Sequence, residues 1–489
     1  MKTKTILTNT IILSLLFLLS IPLWFKVDKL PIRLWDESRN AVNAIEMFSS
    51  REYLIRTYNN SPETWNLKPP MLTWMQVGSM HLLGVNELAI RLPSVIASII
   101  ALVFVYLLTF KITKNKWFGF LSSVILVTSS GFYGDHVGRF GDHDALLVMF
   151  SIALVYYTYL FYQTNQSKYL YYMGAAICLG ILTKSIAIVL FVPGISLFLL
   201  VNKRFISLLK NLHFYSAIAI SLFPLLLYYG LRTLQQTDYL NLVWNDELFP
   251  RFLNQSNNYV YSDPGFGYYI KLLLNEHMSY WPWFLIAIVI APILSKNIYK
   301  SWLLLAVTAS TFLLIISKGT KNFWYDAPLI PLFAILISIS LWTIFKRLKS
   351  PSWLTVLAII IISTYPYSQA YSSSLNIPEP LHYEWETNGI SYFLKDESHA
   401  KKLTSNTTIL LDNKYGYEPH LFYVRKLELE KNIVLKRTEL YTIQPNDTLL
   451  ISHQSTFETL KNLYSVEVLD SLNSCTKLVV ISRKDYFLR

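Results

Sequence analysis

Residues 88–110 of the chain read LAIRLPSVIASIIALVFVYLLTF. A helix needs about 17–25 mostly apolar residues to cross the hydrocarbon core of a bilayer, and this run is long enough. Similar runs recur along the first three quarters of the chain. They lie at 6–25, 88–110, 117–133, 144–163, 169–183, 186–201, 213–231, 281–294, 301–316, 327–345 and 352–369. The pattern predicts a mainly α, polytopic membrane helical bundle of about eleven spans, in which 169–201 could be one broken pair.

The composition agrees with a membrane protein. Of the 489 residues, 53% are hydrophobic and 15% are charged, whereas soluble domains average about 25% charged residues. This excludes a soluble enzyme with one large core, and the long runs exclude an outer-membrane barrel, which would show short alternating strands. The net charge of +12 is explained by loop lysines that touch anionic lipid headgroups. We therefore expect membrane lipid, and no nucleic acid, as a partner.

Basic residues predict the orientation, because cytoplasmic loops are rich in Lys and Arg. With the N-terminus inside, the short inner segments contain no Asp or Glu. Their basic residues are Lys2, Lys4, Lys111, Lys114, Lys116, Lys168, Lys203, Arg204, Lys210, Lys296, Lys300, Lys346, Arg347 and Lys349. The outer segments, 26–87, 131–143, 232–280 and 317–326, hold most acidic residues of this part. The working face is therefore expected outside. The first apolar run lacks a small-x-small cleavage site and is expected to be retained as a helix.

The character of the sequence changes near residue 370. Residues 1–370 are predicted to form the transmembrane domain, and the polar residues 371–489 a small α/β extracytoplasmic domain. Strands are expected at 409–411, 449–451 and 478–481, and helices at 380–396 and 455–464. Within the first outer segment, helices starting near Asp36 and at Pro69-Pro70 are expected to lie in the membrane interface. Cys178 and Cys475 fall in different domains, so neither a disulfide framework nor a cysteine metal site is expected.

The first candidate for chemistry is Trp35-Asp36-Glu37-Ser38-Arg39. Asp36 could take a proton from an acceptor hydroxyl, Glu37 adds a second carboxylate, and Arg39 could bind an anion. A helix N-cap with local ion pairing would give the same pattern.

The second candidate is Arg139-Phe140-Gly141-Asp142-His143-Asp144. Such a cluster is costly to hold at a bilayer boundary. Asp142, His143 and Asp144 could hold a divalent cation, orient an acceptor, or pair with Arg139. These ligand types do not select a particular metal. A solvated loop with a capping aspartate is the ordinary alternative.

Basic residues on the same predicted side point to an anionic ligand. Lys68 precedes two prolines at a helix start, where both its charge and the helix dipole favour a lipid phosphate. A snorkelling lysine is the alternative for Lys68. Lys184 stands between two apolar runs, and a charge there is a functional hypothesis by default. Arg251 adds a further cation in the large outer segment, and Tyr325 adds a hydroxyl near the end of the last one.

Three ordered motifs resemble a known family. Asp36-Glu37-Ser38-Arg39, Lys68-Pro69-Pro70-Met71 and residues 86–94 (NELAIRLPS) resemble the opening of GT-C membrane glycosyltransferases. More narrowly, they resemble the dolichyl-phosphate-mannose–protein mannosyltransferase-like family, which includes the bacterial lipid A aminoarabinose transferase. Residues 141–147 (GDHDALL) resemble its second acidic motif. The sequence departs from the family at Thr183-Lys184-Ser185, where many relatives have lysine-glycine-proline.

The resemblance implies roles for individual residues. Asp36 matches the residue that activates or positions the acceptor, with Glu37 beside it. Asp144 matches the second aspartate, and Asp142 is an extra acid. The donor-phosphate-binding residues implied by the resemblance are Lys68, Arg39, Arg251 and Tyr325, to which the sequence adds Lys184.

The function expected from sequence is transfer of a sugar from a polyprenyl-phosphate carrier to a lipid, glycan or protein acceptor of the cell envelope. The expected location is the outer face of a bacterial inner membrane, and the reaction is expected to invert the anomeric carbon. The donor is a lipid-linked sugar, and a divalent metal is left open as a cofactor. Three alternatives remain. One is a transporter or flippase of a lipid-linked glycan, which would place charges through the membrane midplane. The others are an O-antigen-type polymerase or ligase, and a non-catalytic sensor or scaffold whose C-terminal domain binds envelope components.

Overall fold

A computed structural model describes residues 2–134, 136–248, 265–375, 382–410 and 419–484. The chain divides into two compact units. Unit 1 comprises residues 1–27, 64–72 and 91–376, and unit 2 comprises residues 28–63, 73–90 and 377–489. Each unit is therefore assembled from separate stretches of sequence.

The helices of unit 1 carry most of the apolar runs. They are α1 (Lys2–Leu19), α2 (Ile21–Trp24), α5 (Glu87–Thr113, shared with unit 2), α6 (Lys116–Val127), α7 (Ser130–Tyr133), α8 (Asp144–Thr164), α9 (Lys168–Lys184), α10 (Val192–Val201), α11 (Phe205–Leu209), α12 (Leu212–Gln235), α13 (Tyr239–Leu242), α14 (Tyr268–Leu272), α15 (Leu285–Leu294), α16 (Tyr299–Ile316), α17 (Ile330–Arg347) and α18 (Ser352–Leu375). Short 3-10 turns span Ser185–Phe191, Pro282–Phe284 and Ala327–Leu329, and wide turns span Val243–Leu248 and Leu273–His277.

Seven described helical segments are long and apolar enough to cross a membrane. They are Glu87–Thr113, Asp144–Thr164, Lys168–Val201, Leu212–Gln235, Tyr299–Ile316, Ala327–Arg347 and Ser352–Leu375. A pair bent by 118°, Tyr268–His277 with Pro282–Leu294, would make an eighth, and two shorter apolar helices cover Thr10–Leu19 and Lys116–Val127. The expected fold class, a polytopic helical membrane protein with a small sheet-containing part near the C-terminus, is confirmed. The exact number of spans stays a prediction.

The segment Lys168–Val201 contains a sharp break. Ser185 has a φ of +51° and follows the last residue of α9. A Cβ placed on Gly180 would lie 3.0 Å from the Cβ of Ile188, whereas residues eight apart in a continuous α-helix are about 12 Å apart along the axis. The sequence had left open a broken pair here, and the break lies at Lys184.

Close helix contacts in unit 1 use small residues. Helix α8 packs on α9, α9 on α12, and α10 on α16. A Cβ on Gly194 of α10 would lie 2.6 Å from the Thr308 Cα of α16. Small residues let helix backbones approach closely in a membrane, where there is no hydrophobic driving force between apolar surfaces.

Unit 2 joins the first outer segment to the C-terminal residues. Its helices are α3 (Asp36–Ser50), α4 (Met71–Leu83, shared with unit 1), α19 (His382–Lys395), α20 (Glu397–Ala400), α21 (His420–Lys431) and α22 (Gln454–Leu463), with a 3-10 turn at Leu440–Thr442. Its strands are β1 (Thr57–Tyr58), β2 (Ser61–Pro62), β3 (Thr407–Leu410), β4 (Lys436–Thr438), β5 (Thr448–Ile451), β6 (Tyr464–Leu472) and β7 (Cys475–Arg483). Strands β1 and β2 form a small antiparallel pair.

The larger sheet has the order β4-β3-β5-β7-β6. Strands β3–β4 and β3–β5 pair in parallel, while β5–β7 and β6–β7 are antiparallel. The three predicted strands correspond to β3, β5 and β7, and the two predicted helices to α19 and α22. Sequence reasoning did not find α21, β4 or β6. The pattern of β6 is mixed, because intermediate and exposed positions dominate it.

One hydrophobic core unites the two parts of unit 2. Apolar residues of α3, including Val42 and Ile45, and of α4, including Val77, are buried in the same cluster as Phe393 and Phe422 of the C-terminal residues. Helix α3 packs on α21. The apolar faces expected to lie in the membrane interface are therefore covered, at least in part, by protein.

Candidate functional site

Unit 1 contains an open cavity that is lined by both polar and apolar side chains. Its polar lining includes Asp144, Lys184, Glu247, Thr320 and Tyr325. The apolar lining comes from α8, from the turn after α9 and from the last turns of α16: Leu147, Ile186, Ala187, Leu190, Phe312, Ile315 and Ile316. A cavity of this kind suits a ligand with a polar head and a hydrocarbon tail.

A buried ion pair lies in the polar part. The Lys184 Nζ is 2.6 Å from each carboxylate oxygen of Asp144, and the two side chains are 7% and 1% exposed. The same ammonium lies 5.1 Å from the ring centre of Tyr325. Asp144 starts α8 and Lys184 ends the antiparallel α9, which places both at the same end of the helix pair. The structure thus brings together three residues that the sequence had singled out separately.

Asp142 is held by two imidazoles. One of its oxygens lies 2.8 Å from His136 Nδ1 and the other 3.0 Å from His143 Nδ1. Burial raises the pKa of Asp142, but the hydrogen bonds and charges of the two histidines outweigh it and hold the pKa well below its ordinary value. The carboxylate therefore stays ionised.

His136 was missed by sequence reasoning. Its ring stacks on Trp324 with 3.8 Å between ring centres, and its φ of +65° is in the left-handed region. The only signal was its place in the same outer segment as the acidic motif. Through His136, Asp142 is connected to the segment that carries Tyr325.

The three residues proposed from sequence as metal ligands do not converge within the described part of the chain. Asp142 contacts His143, but the carboxylate of Asp144 is engaged by Lys184. A cation would have to compete with the ammonium for both oxygens of Asp144. These residues do not fit a shared metal in this arrangement.

Arg139 has a structural partner in unit 1. Its guanidinium donates to the carbonyls of Pro22 and Phe25 at 2.6 and 3.0 Å, at the end of the first helical segment. Burial and the nearby Arg91 lower the pKa of Arg139 to about 10, so it remains charged at neutral pH. It does not form the ion pair with Asp142 or Asp144 that the sequence had left open.

Lys68 lies in a buried position before α4. It is 7% exposed, and its Nζ lies 3.4 Å from the Asn66 side-chain oxygen. The carbonyl of the preceding residue, Leu67, accepts a hydrogen bond from the buried Tyr239 hydroxyl at 3.3 Å. The backbone next to Lys68 is thereby held by a residue of the large outer segment. Arg251, also expected in this segment, lies outside the described residues.

A second buried pair supports the segment that carries Tyr325. His277 Nδ1 lies 2.9 Å from both oxygens of Asp326. Gly131 makes room for this histidine, because a Cβ there would lie 2.5 Å from the His277 Cγ. Burial raises the pKa of Asp326, against the lowering effect of His277. Asp326 directly follows Tyr325, so the pair fixes the backbone on which Tyr325 enters the cavity.

Unit 2 carries the first acidic motif. Asp36 is the first residue of α3 and is half-buried, after Trp35 at a φ of 73°. Glu37 is buried and accepts a hydrogen bond from the Arg33 backbone amide at 2.8 Å. This contact fixes the backbone at the start of α3. Glu37 therefore has a structural role in addition to its predicted one.

Arg39 is paired within unit 2. Its Nε and a terminal nitrogen lie 2.9 and 2.7 Å from the two oxygens of the buried Glu63, and its guanidinium lies 4.3 Å from the Tyr58 ring centre. Asn43 also donates to Glu63 at 3.1 Å. The Arg39 charge predicted to bind a phosphate is thus matched by Glu63, which sequence reasoning missed.

Comparison with known proteins agrees with this architecture. Residues 67–229 match the family model described as dolichyl-phosphate-mannose-protein mannosyltransferase. The resemblance seen in the sequence is confirmed. An uncharacterized protein of Aquifex aeolicus (strain VF5) is 31% identical over 176 residues, which cover 36% of this chain and 34% of that protein. The chain thus matches about a third of the length of this curated relative.

Two solved structures share the fold. ArnT from Cupriavidus metallidurans bound to undecaprenyl phosphate superposes with a TM-score of 0.70 at 16% identity, covering 96% of this chain and 97% of that one. The archaeal oligosaccharyltransferase AglB from Archaeoglobus fulgidus, in complex with an inhibitory peptide and a dolichol-phosphate, gives a TM-score of 0.54 at 13% identity. It covers 85% of this chain and 63% of that one. The chain is a multi-pass membrane protein with the fold of ArnT.

Proposed function

We propose that this protein is a glycosyltransferase that moves a sugar from a polyprenyl-phosphate carrier to a lipid, glycan or protein acceptor. The observation that carries the proposal is the cavity of unit 1. Its polar part contains the buried Lys184–Asp144 pair and Tyr325, and its apolar part is formed by α16 and the turn after α9. A lipid-linked sugar has the same division between a polar head and a hydrocarbon tail.

The comparisons support the donor class. ArnT is described with undecaprenyl phosphate and AglB with a dolichol-phosphate, and both are polyprenyl phosphates. The matching family is named for dolichyl-phosphate-mannose. We extend this donor class to the present chain, with the identity of the sugar left open.

The charges suggest which residues contact the sugar of the donor and which contact its phosphate. The Lys184 ammonium is matched by Asp144, so this pair offers both a donor and an acceptor of hydrogen bonds to sugar hydroxyls. Lys68 is buried, and a lysine there supplies the positive charge for the carrier phosphate. Arg251 keeps its proposed role at the same phosphate. For Arg39 we propose a structural role, because Glu63 matches its charge.

The proposed reaction is a displacement at the anomeric carbon. The acceptor oxygen forms a bond to that carbon, while the bond from the carbon to the carrier phosphate oxygen breaks with its electron pair. Positive charge at Lys68 stabilises the departing phosphate. For a hydroxyl acceptor, Asp36 orients the group and takes its proton. For an acceptor that is already ionised, Asp36 only positions it. Attack opposite the leaving group inverts the anomeric configuration.

The location is part of the proposal. We infer from the lysine-rich short segments that the N-terminus is in the cytoplasm, with the acidic motifs and the C-terminal sheet on the outer side of a bacterial inner membrane. Partners in this setting are the lipid-linked sugar, an envelope acceptor such as lipid A, and membrane lipid.

The test uses purified protein in lipid vesicles with a radiolabelled pool of polyprenyl-phosphate sugars and envelope acceptors. We expect wild type to transfer label, and Lys68→Ala and Asp36→Asn to lose at least about 100-fold in rate, as is usual when a transition-state charge or a catalytic acid–base group is removed. Lys296→Ala changes an exposed lysine on a predicted inner loop and should behave as wild type.

The outcomes separate the candidate functions. Label on an acceptor with wild type but not with Lys68→Ala supports the transferase. Movement of the labelled carrier between leaflets without any transfer would replace it by a flippase. Elongation of a carrier-linked glycan would identify a polymerase.

A further inference from the structure

The segment that leads to Asp36 is held by side chains from the C-terminal part of unit 2. These are Lys395 of α19, and Tyr423 and Arg425 of α21, here called the clamp residues. They lie more than 300 positions along the chain from the segment they hold. Neither the apolar pattern nor the acidic motif pointed to them.

Tyr423 holds the backbone just before α3. Its side chain is 2% exposed, and its hydroxyl oxygen accepts a hydrogen bond from the Ile32 amide at 2.9 Å. The same hydroxyl donates to the Glu87 carboxylate at 2.7 Å. A tyrosine hydroxyl can do both at once. Since Ile32 lies four residues before Asp36, this bond fixes the approach to the proposed catalytic acid.

Lys395 holds the other end of the same stretch. Its ammonium donates to the Asp28 carbonyl at 2.5 Å and lies 2.9 Å from the Glu87 carboxylate that also receives Tyr423. Residues 28–32 are therefore fastened at both ends through two clamp residues that share Glu87.

Arg425 holds α3 nearer its C-terminal end. Its Nε lies 3.3 Å from one oxygen of the buried Glu46. Both oxygens of Glu46 also accept the Asn60 amide at 3.1 Å, in the turn between β1 and β2. Glu46 thus connects α3 both to α21 and to the hairpin of β1 and β2.

We propose that the C-terminal α/β part is a positioning element of the transferase, in which the clamp residues hold the segment that carries Asp36. This inference rests on the proposed function. The contacts of the clamp residues go to the segment before Asp36, to Glu87 and to Glu46, so we assign them an action through Asp36. A displacement of about 1 Å at a reacting group is sufficient to cost about 100-fold in rate. Removal of one tether should therefore lower turnover without removing the donor site.

The first test is Tyr423→Phe in the full-length protein in lipid vesicles. This change removes only the hydroxyl and leaves the buried ring. We expect kcat to fall by about tenfold or more, within the range for misplacement of a reacting group, while KM for the carrier sugar stays within about twofold. Its matched control is Tyr464→Phe, a buried tyrosine of the same unit whose hydroxyl bonds the Ile443 carbonyl at 3.5 Å. We expect this control to retain wild-type kcat and KM.

Hydrogen exchange provides a readout that does not depend on turnover. Tyr423→Phe should speed exchange of the amides of residues 30–40, because the Ile32 amide loses its acceptor, whereas Tyr464→Phe should leave them unchanged. Arg425→Lys keeps a charge beside Glu46. The amides of this variant should exchange faster than those of wild type, and the variant should turn over faster than Arg425→Ala.

Two results would overturn the inference, and a third would overturn the proposed function on which it rests. Unchanged exchange and kcat in Tyr423→Phe would show that the tether does not position the segment. Equal losses in both phenylalanine variants, in step with their melting temperatures, would show a general effect on stability. Absence of transfer by wild type would instead overturn the proposed function, and with it the catalytic meaning of the clamp, even where the exchange data show the tether.

Discussion

The ammonium of Lys184 lies 2.6 Å from both carboxylate oxygens of Asp144, and neither side chain is more than 7% exposed. The two residues are 40 positions apart, and the sequence assigned one to catalysis and the other to phosphate binding. Their contact means that each charge is compensated by the other. The pair is therefore better suited to bind sugar hydroxyls than to bind a free anion.

We expect Lys184→Met to destabilise the protein by about 3–5 kcal/mol, because it leaves the Asp144 carboxylate buried without its cation. The double change Lys184→Met with Asp144→Leu should recover most of that loss, since no charge remains. Transfer should stay lost in both variants. Thermal unfolding in detergent micelles and the vesicle assay measure the two effects.

Lys296→Met is the control for this prediction, because Lys296 is exposed. A Lys184→Met protein that unfolds at the wild-type temperature would contradict the buried pair. Recovery of transfer in the double variant would show that the pair is needed only for folding.

His420 should make unit 2 sensitive to mild acid. Burial, together with the charge of Arg437, lowers the pKa of His420 to about 3. An unfolded histidine binds a proton near pH 6.5, so between the two values the unfolded chain binds more protons. The free energy of unfolding therefore falls as the pH drops from 6.5 towards 3. At pH 5 the free energy of unfolding is lower by about 2 kcal/mol, because each pH unit below 6.5 removes about 1.4 kcal/mol.

His420→Gln should remove this contribution. The measurement is the melting temperature of wild type and variant at several pH values between 5 and 7.5, with the exposed His213→Gln as control. The difference in melting temperature between wild type and His420→Gln should change with pH. The difference in melting temperature between wild type and His213→Gln should not. Parallel pH profiles for all three proteins would contradict the assignment.

Arg39 and Glu63 should behave as one structural pair. Since two guanidinium nitrogens of Arg39 contact the Glu63 carboxylate, Arg39→Gln and Glu63→Gln should each lower stability, and the double variant should be less impaired than the sum of the two. Coupling energies of about 0.5–3 kcal/mol are usual for residues in direct contact. Melting temperatures of the three variants provide the cycle, and Lys401→Gln, in an exposed ion pair, is the control.

The kinetic readout separates this role from the one expected from sequence. A structural pair predicts similar effects of Arg39→Gln and Glu63→Gln on KM for the carrier sugar. A rise in KM with Arg39→Gln alone would instead place Arg39 at the donor phosphate.

Local patterns were sufficient for the membrane helices and for part of unit 2. The apolar runs predicted the membrane helices because a spanning helix must satisfy its own backbone in lipid and present apolar side chains to it. The same reasoning located α3 from Asp36 and α4 after Pro69-Pro70, and three of the strands near the C-terminus. Strand β6 escaped because its residues are mostly exposed or intermediate and carry no clear alternation.

Pairings between distant residues were not accessible to that reasoning. Glu63, Tyr423 and His136 stand in stretches that resemble ordinary loops or surface helices. Their roles depend on which buried carboxylate or amide they meet after folding. A single sequence carries no record of such contacts, because periodicity reports only which face of an element is buried.

The sequence by itself determined that the chain is a multi-pass helical membrane protein, that acidic and basic motifs gather on one predicted side, and which family it resembles. These follow from length, hydropathy and short motifs, which are local properties. Only the tertiary structure decided that Asp144 is matched by Lys184, that Arg39 is matched by Glu63, and that the first outer segment shares a core with the C-terminal sheet. The physical reason is that a buried charge must find its partner in space, and the chain supplies that partner from a distant position.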